Sequence, residues 1–187
     1  YDEITGLLNQ DTNISRVVAL FSFPPFDTKD FRNFSELGGG ALLDLGPYAA
    51  ATSRQFFKEQ PEHISCCINS YHPDTKIETA FSIMATYPDG SNYIGQFGFN
   101  TEHQNRLIAF GPNIAVTLDR ALTTPPKMEN SIDIRQKNQA STIKAAACDT
   151  FNAFFSYTFN CIENSDWSTL ENNMIQDATF REQLLKC

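Results

Sequence analysis

Between positions 63 and 123 short apolar runs alternate with turn signals, and this pattern limits the fold more than any other feature of the chain. The runs 77–87 and 92–100 are separated by Pro88-Asp89-Gly90-Ser91, residues that turn the backbone sharply, so a β-hairpin is predicted over 77–100. The runs 106–110 and 114–122 flank Gly111-Pro112-Asn113 and predict a second hairpin. Ile64, Cys66 and Ile68 alternate in the same way. A tight turn joins only antiparallel strands, because a parallel pair needs a crossover of about a dozen residues or more.

The flanks of this region read differently. Segment 1–12 is polar and reads as helical or turn-like. The run 14–23 is rich in Val, Leu and Phe and ends at Pro24-Pro25, as a strand would. A polar loop with aromatic anchors covers 26–37, and three glycines precede a helix-like stretch over 41–58, closed by Pro61. A Pro-containing loop over 124–130 leads to a short strand at 131–134. Cys148, Phe151, Phe154, Phe155, Phe159 and Ile162 recur at spacings of three and four, which predicts a helix with a buried face. Ser168-Thr169-Leu170-Glu171 reads as a capping box opening a last helix, with Leu170, Met174, Ala178 and Leu185 on one side. The class expected is α+β: an open, mainly antiparallel sheet with helices packed on one face. Residues 1–187 are expected to form one domain or lobe.

Charge and cysteine usage narrow the function. The net charge is −8 and no run of Lys or Arg stands out, which argues against nucleic acid or an anionic membrane as partner. No apolar stretch approaches the ~20 residues of a membrane-spanning helix, and the acidic start Tyr1-Asp2-Glu3-Ile4 is unlike a secretory signal. Five cysteines occur, two of them adjacent, with no C-x-x-C. Free thiols in a reducing cytoplasm are expected, and no metal site is signalled.

The stretch richest in chemistry is Gly38-Gly39-Gly40-Ala41-Leu42-Leu43-Asp44-Leu45-Gly46-Pro47-Tyr48. Asp44 and Tyr48 are four apart, one turn of a helix, so both side chains share a face. A carboxylate beside a phenol can accept its hydrogen bond and orient it, and the phenol can pass a proton to or from a reacting oxygen. The same residues also admit a plain reading, in which Asp44 caps a helix and Tyr48 is merely packed.

The run 38–48 resembles the segment G-G-G-x-L-x-D-x-G-x-(H/Y) that opens the C-terminal domain of Gfo/Idh/MocA oxidoreductases. The similarity is specific there and diffuse elsewhere, and it extends over essentially the whole chain. What it implies is a two-domain enzyme. A Rossmann domain binds NAD or NADP and supplies a Lys from an E-K-P motif, while the C-terminal domain holds a sugar, nucleotide-linked ketosugar or cyclic polyol beside the nicotinamide. Hydride then moves to or from that substrate. This sequence contains neither G-x-G-x-x-G nor E-K-P, so the cofactor is expected to be bound by an N-terminal Rossmann domain absent from these residues, and this chain alone is expected to be inactive.

Carried over residue by residue, the resemblance makes Asp44 a group that binds or orients a substrate hydroxyl and Tyr48 the acid/base candidate. Tyr rather than His at 48 is similar to the glucose–fructose oxidoreductase-like branch, and it leaves open whether Tyr48 or the Lys moves the proton. Pro47 should kink a helix running through the motif. Arg32 is a further substrate-binding candidate, balanced against a surface salt bridge. His103 and Arg106, in Thr101-Glu102-His103-Gln104-Asn105-Arg106, could line the cleft or form a polar turn. A homo-oligomer through the exposed sheet face is expected, since Met84 and Ile94 fall among Ser82, Thr86 and Gln96 on one face. The alternative to an enzyme is a non-catalytic binding or assembly module that kept the fold.

Overall fold

The computed structural model describes residues 14–186, so the reading of 1–12 lies outside the described residues. Eight strands form one sheet: β1 (Arg16–Ser22), β2 (His63–Tyr71), β3 (Glu78–Thr86), β4 (Asn92–Gly98), β5 (Gln104–Phe110), β6 (Ile114–Asp119), β7 (Asn130–Gln136) and β8 (Gln139–Ala145). Their spatial order is β2-β3-β4-β1-β5-β6-β7-β8. The first strand is thus drawn into the centre, parallel to β4 and antiparallel to β5, and every other pair is antiparallel. Both predicted hairpins form, as β3–β4 and β5–β6.

Period-two alternation sorts the side chains. Val17 lies level with Tyr93 and Ala85 on one side and with Ala109, Val116 and Ile134 on the other, and all six are buried. One residue along, Val18 sits beside Ile94 and Ile108, with Met84 beyond, on the opposite face. That face is open: Met84 is 49% and Ile94 39% exposed.

The buried face is covered by α1 (Ala41–Phe56) and α3 (Ser168–Leu184). Small residues of α1, Ala41, Ala49 and Ala50, let its backbone approach the sheet, and Leu45 fills the gap between them. The helix runs unbroken through Pro47. Arg54 Nε and Nη2 grip both carboxylate oxygens of Asp177, at 2.7 and 3.1 Å, and tie α3 to α1. α2 (Thr150–Asn164) lies between β8 and α3 in the chain.

Several expectations need correction. β8 is missing from the sequence reading; it returns from β7 through Lys137-Asn138, both in the left-handed region at φ 50° and 63°, the geometry of a two-residue hairpin turn. The aromatic row of α2 is exposed rather than buried, with Phe151 at 74%. In α3 the buried residues are Phe180 and Leu184, while Met174 and Leu185 face outward; the Arg54–Asp177 pair is compatible with that face. Ser168 does not cap α3: its N–H and hydroxyl both donate to Asp166 Oδ1. The cysteines differ as well. Cys66 points to the core side and is disulfide-bonded, whereas its neighbour Cys67 points to the open face and is free, as are Cys148 and Cys161. Adjacent strand residues face opposite ways, so the two can meet different partners.

Among the described residues no helix is long and apolar enough to cross a membrane.

Candidate functional site

The triple glycine is a junction where three backbone segments crowd together. Gly40 donates its N–H to the Arg32 carbonyl at 3.0 Å, and Gly39 donates to that of Phe34 at 2.9 Å. A Cβ on Gly39 would strike the Arg32 carbonyl, and Gly40 holds φ at 110°, so neither position takes a side chain. Gly40 also has no side chain with which to cap α1. That role passes to Glu78, at the start of β3, whose Oε1 accepts from the Leu42 N–H at 3.3 Å. A carboxylate there satisfies one of the free amides of the first turn and complements the helix dipole. Nothing local in the sequence signals Glu78, which lies 36 residues from its partner.

This junction sets Arg32 against Asp44. Arg32 Nε donates to Asp44 Oδ2 at 3.0 Å, and Nη1 donates to both oxygens of Asp30, at 3.3 and 3.4 Å. The guanidinium carbon lies 4.6 Å from the ring centroids of both Phe26 and Phe31. Partial burial pulls the Arg32 pKa down, but the hydrogen bonds and charges of Asp44 and Asp30 outweigh it and leave the group above its ordinary value. Nη2 has no acceptor among the described residues. The Arg32 side chain is 28% and the Asp44 side chain 23% exposed, so both reach solvent at one edge. Asp44 therefore spends its hydrogen bond on Arg32; among the described residues none joins it to the Tyr48 hydroxyl.

Tyr48 stands one turn further along α1, half-buried, with its ring 4.9 Å from Phe21 at the end of β1. From Phe21 an aromatic cluster continues to Phe23 at 5.7 Å and to Phe26 at 5.1 Å, and Phe26 is the platform under Arg32. Phe23 also meets the exposed ring of His103 at 6.2 Å. Four of the five residues singled out in the sequence, Arg32, Asp44, Tyr48 and His103, thus gather around one cluster beyond the C-terminal end of β1. Asp30 and Phe26 complete it. Asp30 accepts from the Arg32 backbone N–H at 3.0 Å, and its place two residues before Arg32 is the signal that could have found it.

Arg106 is not part of this group. It pairs with Leu20 and Asp119 across the open face, whereas Phe21 points to the helix-covered side. Its Nε and Nη2 are held by Asp119 at 2.5 and 3.1 Å, which raises its pKa, the hydrogen bond and charge of Asp119 being the cause. The residue facing the covered side is its neighbour Asn105, which is occupied by the backbone of Leu122.

The geometry offers a fixed cation–carboxylate pair with one unused N–H edge, and beside it a phenol anchored on aromatics. Such a surface can hold a polyhydroxylated or anionic small molecule and can exchange a proton at Tyr48 Oη. It offers no cradle for a pyrophosphate, since the N-terminus of α1 is already capped by the Glu78 carboxylate. Among the described residues no group of three or more His, Cys, Asp or Glu could hold a metal ion.

Comparison with known proteins adds independent evidence. Residues 13–117 match the model of the GFO/IDH/MocA C-terminal domain. A dTDP-3,4-didehydro-2,6-dideoxy-alpha-D-glucose 3-reductase from Saccharopolyspora spinosa is 28% identical over 151 residues, covering 80% of this chain and 45% of that protein. The corresponding enzyme from Streptomyces antibioticus is 27% identical over 139 residues, covering 72% and 42%. The chain thus spans about half the length of the curated relatives it matches. Among solved structures, a 3-ketoreductase from Actinomadura kijaniata in complex with NADP and TDP-benzene superposes with a TM-score of 0.87 at 18% identity, covering 98% of this chain and 57% of that one. An aldose-aldose oxidoreductase from Caulobacter crescentus gives 0.72 at 19% identity, covering 92% and 54%.

Proposed function

The chain belongs to the GFO/IDH/MocA family, through its C-terminal domain, and from that premise we propose that it is the substrate-binding half of an NAD(P)-dependent oxidoreductase acting on a nucleotide-linked ketosugar. NAD or NADP supplies or accepts the hydride. The sequence carries no G-x-G-x-x-G, so in this reading holding the dinucleotide falls to a separate nucleotide-binding half. The observation that carries the reading is the convergence of Arg32, Asp44 and Tyr48 on one solvent-facing edge at the family motif. The 3-reductases above act on dTDP-linked sugars, and the A. kijaniata enzyme binds NADP and TDP-benzene.

In this reading each residue does a separate job. Asp44, held by Arg32, presents its remaining oxygen to a sugar hydroxyl. Arg32 Nη2 donates to a sugar or phosphate oxygen, its direction fixed by Asp30 and the two phenyl rings. Tyr48 Oη donates or takes the proton at the reacting oxygen. His103 lines the outer rim. In the natural full-length protein Tyr48→Phe is expected to lower turnover by about a hundredfold or more while leaving the fold and cofactor affinity intact. Near-normal turnover on a dTDP-ketosugar would return Tyr48 to a packing role.

The open sheet face is read as a subunit interface. Its centre is the apolar row Met84–Ile94–Val18–Ile108, with Arg106, Asp119 and Asp133 further out, the apolar-centre, polar-rim layout of an interface. Light scattering on the natural protein is expected to show an oligomer that Ile94→Asp splits; a wild-type monomer at high concentration would refute it.

A further inference from the structure

α2 is a complete helix whose aromatic side is exposed. Both ends are sealed. Asp149 Oδ1 accepts the N–H groups of Phe151 and Asn152 at 3.1 Å, and the N–H of Ser165, in the left-handed region at φ 53°, reaches back to the Cys161 and Ile162 carbonyls. Such capping marks a stable helix rather than a stray tail. Yet no other described helix or strand makes an extensive contact with it. At 100° per residue, Phe151, Phe155, Phe159 and Ile162 fall within an arc of about 80°, with Phe154 at its margin. Phe151, Phe159 and Phe155 are 74%, 61% and 54% exposed. Cys161, about 80° outside that arc on the Phe154 side, is buried.

A row of bare phenyl rings in water is costly and needs a partner. Three observations say which. The first is size: taking ~200 Å² for a fully exposed phenyl side chain, the patch offers roughly 500 Å². That falls short of the ~800 Å² per partner of a standard protein–protein interface but suits a contact between domains of one chain, about 300–750 Å² a side. The second is charge: Glu163 is the only charged residue in Thr150–Asn164, so the occupant is apolar and uncharged where it touches. The third is length. The fold match to the A. kijaniata ketoreductase takes in 98% of this chain, α2 included, but only 57% of that one, so that protein has a large further body outside the matched part.

We infer that the aromatic face of α2 is the seat of the nucleotide-binding half, which covers Phe151, Phe155, Phe159 and Ile162 with an apolar surface of its own. The inference rests on the two-part reading given above.

Hydrogen exchange on the natural full-length protein tests this. Amides of 150–164 are expected to be protected at least tenfold more in the wild type than in a Phe155→Asp, Phe159→Asp double variant, with those of 41–56 unchanged. A milder Phe159→Ser variant guards against misfolding and should show the same selective loss in smaller measure. NADP binding, followed by nicotinamide fluorescence, is read on the same samples. A wild type that binds NADP while 150–164 exchanges as freely as in the double variant overturns this inference alone. Protection that appears only as the mass doubles with concentration overturns it in favour of a second copy. A protein that binds neither NAD nor NADP overturns the functional reading and this inference together.

Discussion

α1 and α2 are nearly equal in length and both carry apolar residues at helical spacing, yet one lies against the core and the other faces water. α1 buries Ala41, Leu45, Ala49 and Ala50 against the sheet; α2 exposes all four of its phenylalanines by more than half. The difference teaches that periodicity reports an apolar face and not what covers it. Small residues on α1 let its backbone come close to β1, β3 and β4. The bulky rings of α2 form a ridge that suits a surface from elsewhere.

Paired substitutions put this contrast to the sharpest test. Leu45→Ala in α1 is expected to destabilise the fold by about 2–5 kcal/mol, the range for a buried leucine. Urea denaturation measures it, and a cost under ~1 kcal/mol would mean that α1 is less tightly seated than its burial implies.

Alkali probes the underside of the same helix. The Tyr87 hydroxyl shares a hydrogen bond with Ser53 of α1, and burial pushes its pKa up to about 12, with the Ser53 bond partly opposing the rise. An unfolded tyrosine ionises near 10. Between the two values the unfolded chain has lost a proton that the folded one keeps, so stability falls as pH rises. The Tyr87 contribution is intact below about pH 10, and about 2 kcal/mol is lost by pH 12. Tyr87→Phe should flatten that part of the profile; an unchanged profile would show that other groups govern alkaline unfolding.

The smallest effect belongs to α2. In the chain 1–187 by itself, Phe159→Ser should change stability by no more than about 0.5 kcal/mol, as for an exposed position, and should improve solubility. A loss comparable to that of Leu45→Ala would erase the contrast between the helices.

Much of the fold was legible in the residues. Pro88-Asp89-Gly90-Ser91 and Gly111-Pro112-Asn113 dictated two hairpins through local turn chemistry, and alternation along 77–87 and 92–100 sorted inner from outer side chains correctly. The β7–β8 turn escaped notice because Lys137-Asn138 contains no glycine, although Asn tolerates the left-handed region it occupies. At the site, Arg32, Asp44, Tyr48 and His103 were visible as candidates. Arg106, read with His103 as lining the cleft or forming a polar turn, lies instead within β5 with its side chain on the open face.

What the sequence determined by itself is whatever acts over a few residues: turn geometry, strand alternation, helix spacing and the glycine-rich motif before Asp44. What only the tertiary structure decided is every pairing across a long span. Arg32 rather than Tyr48 donates the hydrogen bond to Asp44, Glu78 caps a helix 36 residues away, and α3 buries Phe180 instead of Met174. Such contacts depend on where the sheet brings distant segments together, and that position is set by the summed burial of the whole core, which no local window of the chain contains.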